Sequence, residues 1–143
     1  MILLDTNVVS ELMKMQPDKR VLSWLDKQSG NDLFTSAITK AEIELGIALL
    51  PAGKRRNSIA SAADNMFMQD FAHRVLSFDD ATARFYAELV SHRTGIGRPI
   101  SVEDAQIAAI ALRHDLILAT RNVKDFLEIQ GLELIDPWLI LQN

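Results

Sequence analysis

Asp5, Glu42 and Asp104 are the residues whose types and positions most directly suggest chemistry. In open α/β sheets, ligands bind beyond the carboxyl ends of the strands, so polar residues that follow apolar runs are where a site is sought. Asp5, Thr6 and Asn7 follow Ile2-Leu3-Leu4, and Thr39 and Glu42 follow the stretch Leu33 to Ala37. Thr120, Arg121, Asn122 and Asp125 follow Leu116 to Ala119, and Asp104 joins them from the start of a helix. Carboxylates that meet at one point repel one another and are costly to desolvate unless a divalent cation neutralises them. The chain has no cysteine, so a metal must sit on oxygen or imidazole, and hard oxygen donors suit Mg²⁺ or Mn²⁺ better than zinc. Arg98 precedes Asp104 and Arg121 adjoins Asn122, where each could meet a phosphate. Arg93 is a third basic residue of the same group.

A plainer reading competes with this one. Thr39-x-x-Glu42 fits a capping box, Ser101-x-x-Asp104 is a looser version, and Asn122 is a good helix N-cap. Acids favour the first turns of helices in any case, which would also account for Asp125. Capping explains Asp5 least well, because it directly follows a buried strand, where an unpartnered carboxylate would be unfavourable. Other chemistries find no residues to use. His73, His92 and His114 have no ligand spacing and read as surface residues, and neither a Gly-x-Ser-x-Gly elbow nor a Gly-rich phosphate loop is present. Lys54, Arg55 and Arg56 form the densest basic run and read as a solvated helix start after Gly53.

The elements that must carry these residues alternate along the chain. Strands are expected at Ile2–Leu4, Leu33–Ala37, Val75–Ser77, Leu116–Ala119 and Glu133–Ile135. Helices are expected over Asp18–Lys27, Thr39–Leu50, Lys54–Ala72, Ala81–Arg93 and Val102–His114, with Pro51-Ala52-Gly53 ending the second. Strands alternating with helices imply a central parallel sheet with helices on both faces, an α/β three-layer sandwich. The irregular stretch Thr94–Pro99 leads into Asp104.

At 143 residues and 48% hydrophobic content, the chain is sized for one domain, 1–143, with a substantial core. No apolar run approaches the ~20 residues of a membrane helix, and Asp5 interrupts the N-terminal run too early for a secretory signal, so a cytoplasmic protein is expected. Its lack of cysteine agrees with a reducing compartment. A net charge of -4 argues against binding nucleic acid by overall charge alone, so such a substrate would need a local basic patch or a metal.

Four stretches resemble a known family in order and spacing: Ile2-Leu-Leu-Asp-Thr-Asn7, Ser36-Ala-Ile-Thr-Lys-Ala-Glu-Ile-Glu-Leu-Gly46, Asp104-Ala-Gln-Ile-Ala-Ala109 and Ala119-Thr-Arg-Asn-Val-Lys-Asp-Phe126. Together they are similar to the PIN-domain toxins of VapBC-type toxin–antitoxin modules, and Pro137-Trp138 is similar to the FitB-like branch. The resemblance implies a PIN fold and Mg²⁺- or Mn²⁺-dependent endonucleolytic cleavage of RNA. It places the metal-binding acids on Asp5, Glu42 and Asp104. A fourth acidic position falls on Asn122, a departure that leaves Asp125 as a substitute one turn further on. Thr6 and Thr120 match polar positions that support the metal-binding groups. The resemblance further implies a homodimer, with helices around Leu22, Trp24 and Leu49 meeting, and a small antitoxin partner through which the complex contacts DNA. A PIN-like scaffold that no longer cuts, and a phosphohydrolase acting on a small molecule, remain as alternatives.

Overall fold

The computed structural model describes residues 1–140, so positions 141–143 of the expected 1–143 unit lie outside the described residues. Strands β1 (Ile2–Leu4), β2 (Leu33–Ser36), β3 (Val75–Leu76), β4 (Ile117–Ala119) and β5 (Leu134–Ile135) form one sheet in the order β3-β2-β1-β4-β5. Every pairing is parallel, with Leu3 opposite Phe34 on one side and Leu118 on the other. β1 is therefore the central strand, and whatever follows it emerges in the middle of the sheet edge.

Period-two alternation assigns the faces. Ile2, Leu4, Leu33, Ile117 and Ile135 pack into one core, while Leu3, Phe34, Leu118 and Leu134 pack into the other. A strand buried on both sides reads as an unbroken apolar run, which is why Ile2-Leu3-Leu4 contains no polar residue. Helices α1 (Thr6–Leu12), α2 (Lys19–Asp26), α3 (Ala37–Ala48) and α4 (Lys54–Asn65) contribute Val8, Val21, Trp24, Ile43 and Ala63 to the first core. Helices α5 (Asp80–Gly95) and α6 (Val102–Arg113) cover the other face through Leu89, Ala105 and Ile107 to Ala111. The architecture is the expected three-layer α/β sandwich, and among the described residues no helix is long and apolar enough to cross a membrane.

Three expectations change. A helix, α1, begins immediately after Asp5, where none was expected: its seven residues include Thr6, Val8 and Val9, whose β-branching weakens the helical signal, and burial of Val8 and Val9 overrides it. Helix α3 starts at Ala37 rather than Thr39, because Ser36 is its N-cap and accepts a hydrogen bond from the Thr39 N–H at 3.0 Å. The long helix from Lys54 ends at Asn65 and passes into a π-helical turn, Met66–Asp70, that sends Phe67 and Phe71 into the core.

Candidate active site

Asp5 leaves β1 with its backbone N–H donating to the Ala119 carbonyl at 2.9 Å, so the sheet ladder itself fixes where its carboxylate begins. The side chain is 4% exposed and is the N-cap of α1. One carboxylate oxygen accepts from the Thr6 N–H at 2.8 Å; the other accepts from Thr120 Oγ1 at 2.8 Å and from Asn7 Nδ2 at 3.3 Å. Burial nonetheless pushes the Asp5 carboxyl above its ordinary value, the bonds from Thr120 and Thr6 oppose the shift, and the charge on Glu42 adds to it.

Thr120 follows β4 and is fully buried; its hydroxyl also accepts from the Asn122 N–H at 3.1 Å. Asn7 bridges the two strand ends, since its Oδ1 accepts from the Arg121 N–H at 3.1 Å while its amide faces Asp5 and Thr120. Thr6, Asn7 and Thr120 therefore form the polar frame that immobilises Asp5.

Glu42 lies in the second turn of α3, beyond any capping position, so the capping-box reading does not apply to it. Its Oε1 accepts from Thr6 Oγ1 at 3.0 Å, and Thr6 Oγ1 is 3.0 Å from Thr39 Oγ1. The single Thr6 proton is committed to the carboxylate, so Thr39 is the donor in the second bond and the relay runs Thr39 to Thr6 to Glu42. Partial burial raises the Glu42 carboxyl, Thr6 works against that, and the charges of Asp104 and Glu103 raise it further. Asp104 is in the first turn of α6, whose N-cap Ser101 accepts from the Asp104 N–H at 3.2 Å. Burial is again the main cause of a raised carboxyl, followed by the charge of Asp5, with Asp125 and Glu103 adding to it. The charges of Asp5, Glu42 and Asp104 thus act on one another. Glu103 joins their field; its position beside Asp104 in the chain was the signal for it.

Not every expected residue has the expected part. Asn122 is exposed and makes no capping bond through its side chain; it stands at the head of a 3₁₀ turn, Val123–Phe126, that holds Asp125 half-buried. Arg98 is exposed, and Arg121 is exposed with its guanidinium 4.9 Å from the Trp138 ring centroid. Arg93, grouped with them in the sequence, is 5% exposed and bonds only to backbone carbonyls, so it is not placed to meet a phosphate. Trp24 is 4% exposed in the core and cannot form a subunit contact, whereas Leu22 and Leu49 are on the surface. Arg55, from the run read as solvated, lines a groove of about 730 Å³ together with Thr6, Glu42, Ile43 and Ile47.

Among the described residues no three acids or imidazoles close into a ready-made metal cage. The donors present are carboxylates that raise one another's proton affinity, an open set suited to a hard dication that keeps several waters and takes only one or two carboxylates directly.

Known proteins resemble this chain over nearly its whole length. The sequence profile described as PIN domain matches residues 2–132. Plasmid stability protein StbB of Pseudomonas syringae pv. tomato is 45% identical over 138 residues, spanning 96% of this chain and 99% of that protein. VapC ribonuclease Y4jK of Sinorhizobium fredii is 44% identical over 138 residues, spanning 96% of this chain and 98% of that one. The fold superimposes on a chain of the FitAB complex bound to an IR36 DNA fragment with a TM-score of 0.91 and 39% identity, covering 100% of this chain and 99% of that chain. With a PIN-domain profile that spans residues 2–132 and relatives 44–45% identical over nearly their full length, the chain belongs to the PIN-domain family, in its VapC branch.

Proposed function

We propose that the protein is a metal-dependent endoribonuclease and the toxin of a type II toxin–antitoxin module. The observation that carries this reading is the crowding of Asp5, Glu42 and Asp104, whose carboxyls are all raised by burial and by one another's charge. A divalent cation held among them would offset both the repulsion and the cost of burying the charges. The names of VapC ribonuclease Y4jK and of the plasmid stability protein StbB support the activity and the module.

Asp5 and Asp104 would hold Mg²⁺ or Mn²⁺, with Glu42 completing the set. Such an ion, when bound, lowers the pKa of a coordinated water and offsets charge developing on phosphoryl oxygens. The chain's own residues do the rest. Thr120, Thr6 and Asn7 hold Asp5 in one orientation, and the Thr39–Thr6 relay holds Glu42, which would accept a proton from the attacking water. Water would add to phosphorus as the P–O3′ bond breaks, and the departing 3′-oxygen would take a proton from solvent, leaving 5′-phosphate and 3′-hydroxyl ends. Asn122 and Asp125 form the rim, and Arg98 and Arg121 steady flanking phosphates. Among partners we place a second copy of the chain and a small antitoxin, with DNA contacted only through the antitoxin; the solved structure of FitAB bound to a DNA fragment supports an antitoxin-containing, DNA-bound assembly.

Incubation of a labelled oligoribonucleotide with Mn²⁺, with EDTA, and with Asp104→Asn protein tests the proposal. Cleavage to 5′-phosphate ends that needs the metal and Asp104 is expected, together with growth arrest when the protein is expressed without a partner. A second reading, a PIN-like scaffold that does not cut, draws on Asn122 standing where the family has an acid. A soluble, Mn²⁺-loaded protein that leaves RNA intact and cells growing would favour that scaffold.

A further inference from the structure

Arg93 is a buried charge that the proposed chemistry does not use. It sits in the last turn of α5, 5% exposed, and no carboxylate pairs with it among the described ion pairs. Its Nε donates to the Arg98 carbonyl at 2.7 Å, and its Nη1 donates to the carbonyls of Asp125 at 3.1 Å and Leu127 at 2.8 Å. Its own carbonyl accepts from the Arg98 N–H at 2.8 Å, so the first of these segments is held twice. Taking a guanidinium out of water is costly, and among the described residues its hydrogen-bond partners are backbone carbonyls. A side chain needed only to fill this space could be apolar, as Leu89 is one turn earlier. The planar fork of arginine differs from an aliphatic side chain in addressing several acceptors at a fixed separation.

The backbone segments that Arg93 joins are the two that bring acids to the rim. The turn at Arg98 leads to Ser101, the cap that holds the first turn of α6 and with it Asp104. The other segment is the 3₁₀ turn, in which the Asp125 N–H donates to the Asn122 carbonyl at 2.9 Å, so Arg93 on the Asp125 carbonyl fixes both residues. We infer that Arg93 is a positioning residue: by clamping the Arg98 turn to the Asp125 turn it sets the distance from Asp125 and Asn122 to Asp104, and through Asp125 it sets the affinity for the divalent cation. The inference rests on reading these acids as a metal-dependent nuclease site.

The test counts free Mn²⁺ by electron paramagnetic resonance during titration of the full-length protein, with folding checked by circular dichroism. Arg93→Lys is expected to weaken Mn²⁺ binding about tenfold, the scale usual for groups that orient metal ligands. Leu89→Ala, which disturbs the same helix but removes none of the hydrogen bonds to either turn, should lower the melting temperature and leave Mn²⁺ binding as in the parent. In an Asp125→Asn background, Arg93→Lys should add no further loss, because the residue it positions is already disabled. Unchanged binding in Arg93→Lys, or an equal loss in both backgrounds, overturns the inference. Should Arg93→Lys not fold, Asp125→Asn alone decides: parental Mn²⁺ affinity in that variant leaves Arg93 nothing to act through. A parent that binds no Mn²⁺ overturns the metal reading and this inference with it, whereas a parent that binds Mn²⁺ beside an equally competent Arg93→Lys overturns this inference alone.

Discussion

The hydrogen-bond partners of the acids separate residues that look alike in the sequence. Replacing Glu42 by Gln keeps an oxygen for the Thr6 hydroxyl, and Asn at 104 keeps the side chain's size while removing a charge from the cluster. Asp5 differs: its second oxygen already receives two donors, Thr120 Oγ1 and Asn7 Nδ2, and an amide nitrogen placed there would face them as a third donor. In EDTA, Glu42→Gln and Asp104→Asn should therefore melt at or above the parent temperature, whereas Asp5→Asn should lose about 1–3 kcal/mol for its mismatched buried donors. Adding Mn²⁺ should reverse the order for the first two. The parent gains RT ln(1 + [M]/Kd), about 2.7 kcal/mol at a hundredfold excess over Kd, and the variants gain little. Thermal melts under both conditions check this, and all three variants melting alike with and without Mn²⁺ would overturn the metal reading of these acids.

At the scale of elements, the site depends on where helices start. Ser36 is fully buried and its hydroxyl sets the first turn of α3, which fixes the phase that turns Glu42 toward Thr6. Ser36→Ala should cost about 1 kcal/mol in urea denaturation and lower RNA cleavage more than that loss of stability explains. Helix α6 makes the opposite demand. Ala105, Ala108, Ala109 and Ala111 are fully buried, so α6 lies close to the sheet because its side chains are small. Ala108→Leu should destabilise the protein by about 1–3 kcal/mol through overpacking, while Leu22→Ala on the exposed face of α2 should change stability by under about 0.5 kcal/mol. Equal effects of the two in denaturant titrations would contradict the burial described for α6.

The whole molecule combines two opposed groups of carboxyls. Asp5, Glu42 and Asp104 have folded-state values above their ordinary ones, so their repulsion destabilises the metal-free fold at neutral pH and is relieved as pH falls through those raised values. Asp18 is the reverse: the Arg20 guanidinium holds it near about 2, and its contribution is present above the ordinary carboxylate value and fades only as pH falls toward 2. Without metal, the melting temperature should therefore rise on mild acidification from neutrality and fall again in stronger acid. The gain from Mn²⁺ should shrink along the same path as protons compete for the carboxylates. Melting temperatures that fall steadily from pH 7 downward in EDTA would contradict the proposed crowding. Charge also bears on substrate: with a net charge of -4, RNA affinity has to come from local cations. Arg98→Ala or Arg121→Ala should weaken RNA binding and flatten its salt dependence more than Lys54→Ala does, and the opposite ranking in salt titrations would move the RNA path to the α4 side.

The order of elements, the parallel sheet and the acids at the strand ends were legible in the sequence because they depend on local pattern. A short unbroken apolar run such as Ile2-Leu3-Leu4 fits a strand covered on both faces, and polar residues directly after such a strand lie at the sheet edge. Tertiary structure alone decided the rest. Thr6, Val8 and Val9 read as poor helix formers, yet become α1 because Asp5 caps the segment and the core takes Val8 and Val9. Arg93 is indistinguishable in sequence from a surface phosphate contact, and becomes a buried clamp because its partners, the carbonyls of Asp125 and Leu127, come from a distant part of the chain. Backbone carbonyls carry no residue identity, so a side chain that bonds to them leaves no pattern in the sequence to be read.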